Sequence, residues 1–215
     1  MRTIQGLLGA YATVFWDFDG VIKDSVGVKS DAFERLFAPF GAHIASRVRQ
    51  HHERNGGMSR YEKLPLYLGW AGQDASDAAV ERYCGLFSTA VLGAVIDSPW
   101  VPGAREYLTA NHKRQFFVLI TATPYREIQS ILGALDLASC FREVYGAPTS
   151  KVEAVKSALT RTGSAPADSL LIGDSDSDYE AARSTGVAFL LRRTRLNVTL
   201  QLEYAGMQCE DFING

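Results

Sequence analysis

Tyr11-Ala12-Thr13-Val14-Phe15-Trp16-Asp17-Phe18-Asp19-Gly20 joins an apolar, β-prone run to two acids and a glycine. An apolar run without polar alternation is what a strand covered on both faces requires. Residues 115–120 (QFFVLI), 169–173 (SLLIG) and 186–190 (GVAFL) share this character, with 142–145 (REVY) a weaker fifth. Amphipathic stretches lie between them. Val101-Pro102-Gly103-Ala104 opens a helix to about residue 110, and Pro124 opens one to about 132. Ser150 caps a helix to about 160, and 177–183 supplies one more. The order predicts an α/β fold, a doubly wound parallel sheet with right-handed crossovers.

One interval breaks the rhythm. Residues 20–120 are 101 residues, whereas a βαβ crossover takes about 30. So long a stretch is not a structureless loop. Ala32, Phe33, Leu36, Phe37 and Phe40 share one helical face, as do Tyr83, Phe87, Ala90, Val91 and Ala94. We therefore expect an α/β catalytic core of residues 1–23 and 98–215, and an inserted helical lobe of 24–97. The two linkers, Lys23-Asp24-Ser25 and Asp97-Ser98-Pro99, are the expected hinges.

Composition narrows the function. The 215 residues are 47% hydrophobic and 21% charged, an ordinary globular balance. A net charge of −2 argues against nucleic acid as a partner. No apolar run reaches the roughly 18 residues of a membrane span, and no cleavable leader is apparent, so no membrane partner is expected. The start reads as a short extension feeding the first strand. Three isolated cysteines (Cys84, Cys140, Cys209) form no disulfide framework, which points to a cytoplasmic setting.

In open α/β sheets, ligands bind beyond the carboxyl ends of the strands. Those ends carry Asp17-Phe18-Asp19-Gly20, Thr121-Ala122-Thr123 and Asp174-Ser175-Asp176-Ser177-Asp178, with Lys151 at a helix start nearby. Carboxylates gathered on one rim call for a hard cation such as Mg²⁺. Mg²⁺ and a lysine together would shield the negative phosphoryl oxygens so that a carboxylate can approach and attack phosphorus. A calcium loop is excluded. Counting from Asp17 puts Ile22 and Val28 where glycine and glutamate are needed; counting from Asp174 puts Tyr179 and Thr185 there.

The chain resembles the haloacid dehalogenase superfamily, on its phosphatase side. WDFDGVIKDS is similar to the family's first motif, LITAT to the second, SKVEAV to the third and LLIGDSDSD to the fourth. The resemblance implies a Rossmann-like core with an inserted α-helical cap. It makes Asp17 the nucleophile and a metal ligand, and Asp19 the acid/base, its carbonyl on the metal. Thr121 and Lys151 would hold the phosphoryl group, Asp174 would ligate Mg²⁺, and Asp178 would hold Lys151 or a metal-bound water. The amides of Phe18 and Ala122 would line the phosphate pocket. Val21 and Ala122 depart from the Thr and Asn that many members carry. Family dehalogenases lack the second aspartate of the first motif, so Asp19 favours phosphoryl chemistry.

The expected activity is Mg²⁺-dependent hydrolysis of a small phosphorylated metabolite, by a monomer or homodimer. A sugar phosphomutase using the same residues, or a phospho-aspartate signalling module, is the alternative. In the lobe, Gly56-Gly57 ends one helix, and Ser59 with Glu62 caps the next. That start presents Arg60 and Lys63 as a clamp for an anionic part of the substrate. Pro65 should kink this helix. His51 and His52, being adjacent, point apart and make no zinc pair.

Overall fold

The computed structural model describes residues 3–213. Six parallel strands form one sheet in the order β3-β2-β1-β4-β5-β6. They are β1 (Thr13–Trp16), β2 (Phe116–Pro124), β3 (Glu143–Ala147), β4 (Ser169–Gly173), β5 (Ala188–Arg192) and β6 (Met207–Cys209). Every residue of β1 is buried, because β1 sits centrally between β2 and β4. Successive strand residues point to opposite faces, so the apolar run feeds two cores. Val14, Trp16, Phe117, Leu119, Leu170 and Ile172 pack on one side. Phe15, Val118, Ile120, Leu171 and Phe189 pack on the other.

The helices α6 (Ala104–Asn111), α7 (Tyr125–Ala134), α8 (Lys151–Thr162) and α9 (Asp176–Thr185) connect the strands. Three more elements escape the sequence reading. The leading extension forms α1 (Ile4–Leu8), held by the buried Ile4 and Leu8. The edge strand β6 is three residues long, too short to carry a periodicity. Between β5 and β6 lies α10 (Val198–Glu203). β2 also runs further than its apolar run. Its pairing with β3 is irregular between Ile120 and Pro124, so Thr121 and Thr123 lie within the strand and α7 begins only at Tyr125. Leu191 and Arg192 belong to the strand, and Arg193 donates to Glu210 at 2.9 Å.

Between β1 and α6 run α2 (Val26–Phe37), α3 (Ala42–Arg54), α4 (Arg60–Trp70) and α5 (Asp77–Asp97). Their shared core is aromatic. Phe33 stacks on Phe87 at 3.9 Å and meets Tyr67 edge-on at 5.4 Å. Phe37 stacks on Tyr83 and meets Tyr67. α4 starts on the expected cap, with the Ser59 N–H donating to Glu62 Oε2 at 3.0 Å, and it continues unbroken through Pro65. α5 is by length and composition apolar enough to cross a membrane, although Glu81 and Arg82 interrupt its apolar run. Here its Tyr83, Cys84, Phe87, Val91 and Val95 are buried. The two chain crossings into the insertion are tied together. The Asp24 N–H donates to Pro99 O at 2.8 Å, and Lys23 Nζ donates to Ile96 O at 2.9 Å.

Trp16 anchors the first core, with Phe212, Phe117 and Tyr107 rings within 6.0 Å. Its indole N–H is buried without a partner. Trp16→Ala is therefore expected to cost about 3–5 kcal/mol in urea unfolding. Trp16→Phe, which keeps an aromatic ring and removes the orphan donor, should cost less than half as much.

Candidate active site

The strand order reverses at β1, and the carboxyl ends of β1, β2 and β4 open on one crevice. Asp17 follows β1 directly. Its Oδ1 accepts the Phe18 N–H at 2.7 Å, and its Oδ2 accepts from Lys151 Nζ at 2.7 Å. Lys151 starts α8 behind the Ser150–Glu153 capping box, which fixes the direction of its side chain. Its ammonium also donates to Asp178 Oδ1 at 2.7 Å. The other Asp178 oxygen accepts from the Ser175 hydroxyl at 2.5 Å and the Ser175 N–H at 3.2 Å. Asp17, Lys151 and Asp178 are all buried.

Asp174, at the end of β4, completes the cluster. One carboxylate oxygen from each of Asp17, Asp174 and Asp178 lies within 4.8 Å of the others. Burial pushes the Asp17 carboxyl up to about 7 against the pull of Lys151. Burial, then Asp17 and Asp178, raise Asp174 well above the ordinary carboxylate range. Burial opposes the charge on Lys151, but its two acids outweigh that and hold it above its usual value. Three clustered acids against one ammonium leave negative charge uncompensated, and an all-oxygen donor set suits a hard divalent cation. The residues thus fit Mg²⁺. Both oxygens of Asp17 and of Asp178 already accept from protein donors, so Asp174 offers the freer oxygens. Gly20 makes this approach possible. Its φ is +79°, and a Cβ there would lie 2.0 Å from Asp174 Oδ2.

Asp19 is held by a separate set of donors. Ser25 Oγ donates to its Oδ1 at 2.6 Å, and Lys29 Nζ and Thr123 Oγ1 donate to its Oδ2 at 2.5 and 3.2 Å. Burial alone would raise its pKa; Lys29, Ser25 and Thr123 bring it below the ordinary value. Thr121 is buried, its Oγ1 accepting the Thr123 N–H at 3.1 Å. Two cavities meet here. One of about 630 Å³ is lined by Thr121, Lys151 and Asp174. One of about 40 Å³ is lined by Asp19, Lys29, His52 and Lys63. Val26, Gly56, Met58 and Ala122 line both.

The insertion contributes differently from the sequence expectation. Arg60 is no open clamp. Its guanidinium makes two bonds to Glu127 on α7, at 2.8 and 2.6 Å, and a third to Ser88 at 2.6 Å. An arginine placed in a buried seam needs its charge cancelled there, and Glu127 does so. Lys63 is buried beside His52, Nζ to Nδ1 at 2.9 Å. Lys29, Thr123, His52 and Glu127 escape the motif reading. A signal for two of them exists. Lys29 precedes Phe33 by four residues and His52 follows Val48 by four, each a basic residue on an apolar face.

Burial, then Lys29, lower the Lys63 ammonium to about 7. Between about pH 7 and its unfolded value near 10.5, the unfolded chain holds a proton that the folded chain lacks, so stability rises with pH across that window. Lys63→Met is therefore expected to raise Tm most at pH 6 and to lose most of that gain by pH 10, as read by thermal unfolding.

A family model for haloacid dehalogenase-like hydrolases matches residues 11–186. A phosphoglycolate phosphatase of Pseudomonas putida is 29% identical over 180 residues, 81% of this chain and 66% of that protein. The chain thus spans just under two thirds of that relative's length. A phosphorylated carbohydrates phosphatase of Thermotoga maritima is 26% identical over 182 residues, 81% of each chain. Among solved structures, the β-phosphoglucomutase of Clostridium difficile superposes with a TM-score of 0.75 at 18% identity, covering 94% of this chain and 92% of that one. A haloacid dehalogenase-like protein of Streptococcus pneumoniae gives 0.68 at 17%, covering 94% and 95%. With four motifs meeting at one crevice and a family model covering most of its length, the chain belongs to the haloacid dehalogenase-like hydrolases.

Proposed function

We propose that this protein is a Mg²⁺-dependent phosphomonoester hydrolase that acts on a small phosphorylated metabolite through an aspartyl-phosphate on Asp17. The observation that carries the reading is the buried chain Asp17–Lys151–Asp178 beside Asp174, with the Thr121 strand end opposite. Relatives named as phosphatases for phosphoglycolate and for phosphorylated carbohydrates support it.

Asp17 Oδ attacks phosphorus, and the bond from phosphorus to the ester oxygen breaks. Lys151 fixes Asp17 in place and brings positive charge to the phosphoryl oxygens. Thr121 offers a hydroxyl to the same group. Asp19 must shed its pairing with Lys29 and take up a proton as substrate binds; it then delivers that proton to the departing alkoxide and recovers one from the water that attacks the aspartyl-phosphate. That attack returns the Asp17 carboxylate and releases inorganic phosphate. Asp17, Asp174 and the Asp19 carbonyl would hold Mg²⁺, which when bound supplies further charge shielding for the phosphoryl oxygens. Asp178 anchors Lys151. The helical insertion of residues 24–97 serves as a cap, and water is excluded where it meets the core.

The test is phosphate release from a panel of phosphomonoesters, with Mg²⁺ or with excess chelator. Turnover should need the metal and should fall by more than about 10³-fold in Asp17→Asn. Wild-type rates in that variant would overturn the reading.

A further inference from the structure

The pairing of β4 with β5 ends at Gly173 against Leu191. Just beyond it, the carbonyls of Asp174 and Arg192 both accept from one side-chain amide, Asn197 Nδ2, at 2.7 and 2.8 Å. Asn197 stands at the N-cap of α10, where an asparagine usually turns its oxygen onto the first N–H groups of the helix. Here it makes no such cap. Its Oδ1 accepts instead from the Thr194 N–H at 2.8 Å and from Gln201 Nε2 at 2.6 Å. A backbone carbonyl only accepts and a backbone N–H only donates, so these partners fix which way the amide faces. All four of its hydrogen-bonding positions are used. The amide thus continues the sheet one step past the point where the two strands part.

Asp174 is the residue for which this tie matters. Asp17 is aimed by the Phe18 N–H and Lys151, and Asp178 by Lys151 and Ser175. The Asp174 carboxylate receives no hydrogen bond from a donor among the described residues. Its aim is therefore set by its backbone. The peptide group from Asp174 to Ser175 is held at both ends: its carbonyl by Asn197, and its N–H by Asp178 Oδ2 at 3.2 Å. A planar peptide pinned at both ends cannot turn, and the ψ angle of Asp174 is pinned with it. We infer that Asn197 is the positioning residue for Asp174, holding the strand end so that this carboxylate stays with those of Asp17 and Asp178. The inference rests on the Mg²⁺ dependence of the proposed function. It adds a residue 23 positions further along the chain, outside all four motifs. Asn197 acts on the cation through Asp174. Without the amide the carboxylate must be ordered when the metal binds, and loss of such an outer partner costs about 10- to 100-fold in metal affinity.

The test reads Mg²⁺ affinity without turnover, as the Mg²⁺ concentration that gives a fixed rise in melting temperature with no substrate present. Asn197→Ala is expected to need about 10- to 100-fold more Mg²⁺ than wild type. Asn197 and Asp174 are half-buried, so water can take up the freed carbonyls and the variant is expected to fold. Thr194→Val is the comparator. It removes the hydroxyl that accepts the Leu196 N–H at 3.1 Å in the same loop, and should lower the metal-free melting temperature without changing the Mg²⁺ requirement. Should Asn197→Ala not fold, Gln201→Leu takes its place. It removes one of the two donors on Asn197 Oδ1 and a bond to Thr194 O, and should raise the Mg²⁺ requirement a few-fold. A wild-type Mg²⁺ response in these variants, whatever their metal-free stability, would overturn the inference and leave the phosphatase reading standing. An equal loss in Thr194→Val would do the same, since loop order rather than the amide would then be the cause. A wild type whose melting temperature ignores Mg²⁺ would overturn the inference and the metal dependence together; phosphate release in excess chelator then shows whether the phosphatase reading survives them.

Discussion

Lys151 is the charge on which the acid-rich carboxyl end of the sheet depends. Asp17, Asp174 and Asp178 come together in a buried crevice, and burial alone drives such groups toward protonation. One ammonium, 2.7 Å from both Asp17 and Asp178, keeps the Asp17 carboxylate oriented. The remaining imbalance, on the Asp174 side, is the chemical reason the crevice suits a divalent cation. Removing one partner from such an arrangement leaves a buried charge unpaired, so its members stand or fall together.

The helical insertion repeats the logic with the opposite sign. Three of its helices put a basic residue on the face that should be apolar. Lys29 is matched by Asp19 and Thr123, and Arg60 by Glu127 and Ser88. Both pairings join the insertion to the core, so they form only where the two meet. Asp19 is held from three directions at once: Ser25 at the chain crossing, Lys29 on the insertion and Thr123 on the sheet. Its position is thus a property of the assembled molecule rather than of its own loop.

Gly57 marks the same contact from the other side. A Cβ there would lie 1.9 Å from Ser177 Oγ, so the turn between α3 and α4 rests directly on the first turn of α9. Together with the tie between Asp24 and Pro99, this frames the crevice on two sides and leaves the larger cavity as its opening.

Much of this was legible in the residues alone. Apolar runs ending in acids predicted the parallel sheet, because a strand buried on both faces cannot alternate. The same pattern placed Asp17, Thr121, Lys151 and Asp174 on one rim, since parallel strands deliver their carboxyl ends together. The length of the interval after Gly20, with its helical periodicity, predicted the helical insertion. Pairings between segments far apart in sequence were not legible. Arg60 read as a free cation because Glu127 lies 67 residues away. His52 drew no reading beyond the absence of a zinc pair with His51, because its orphaned Nε2 exists only once α2, α3 and α4 have closed around it. Local periodicity reports which face of an element is buried. Which charge meets which across that face is decided by tertiary packing, where distance in space replaces distance along the chain.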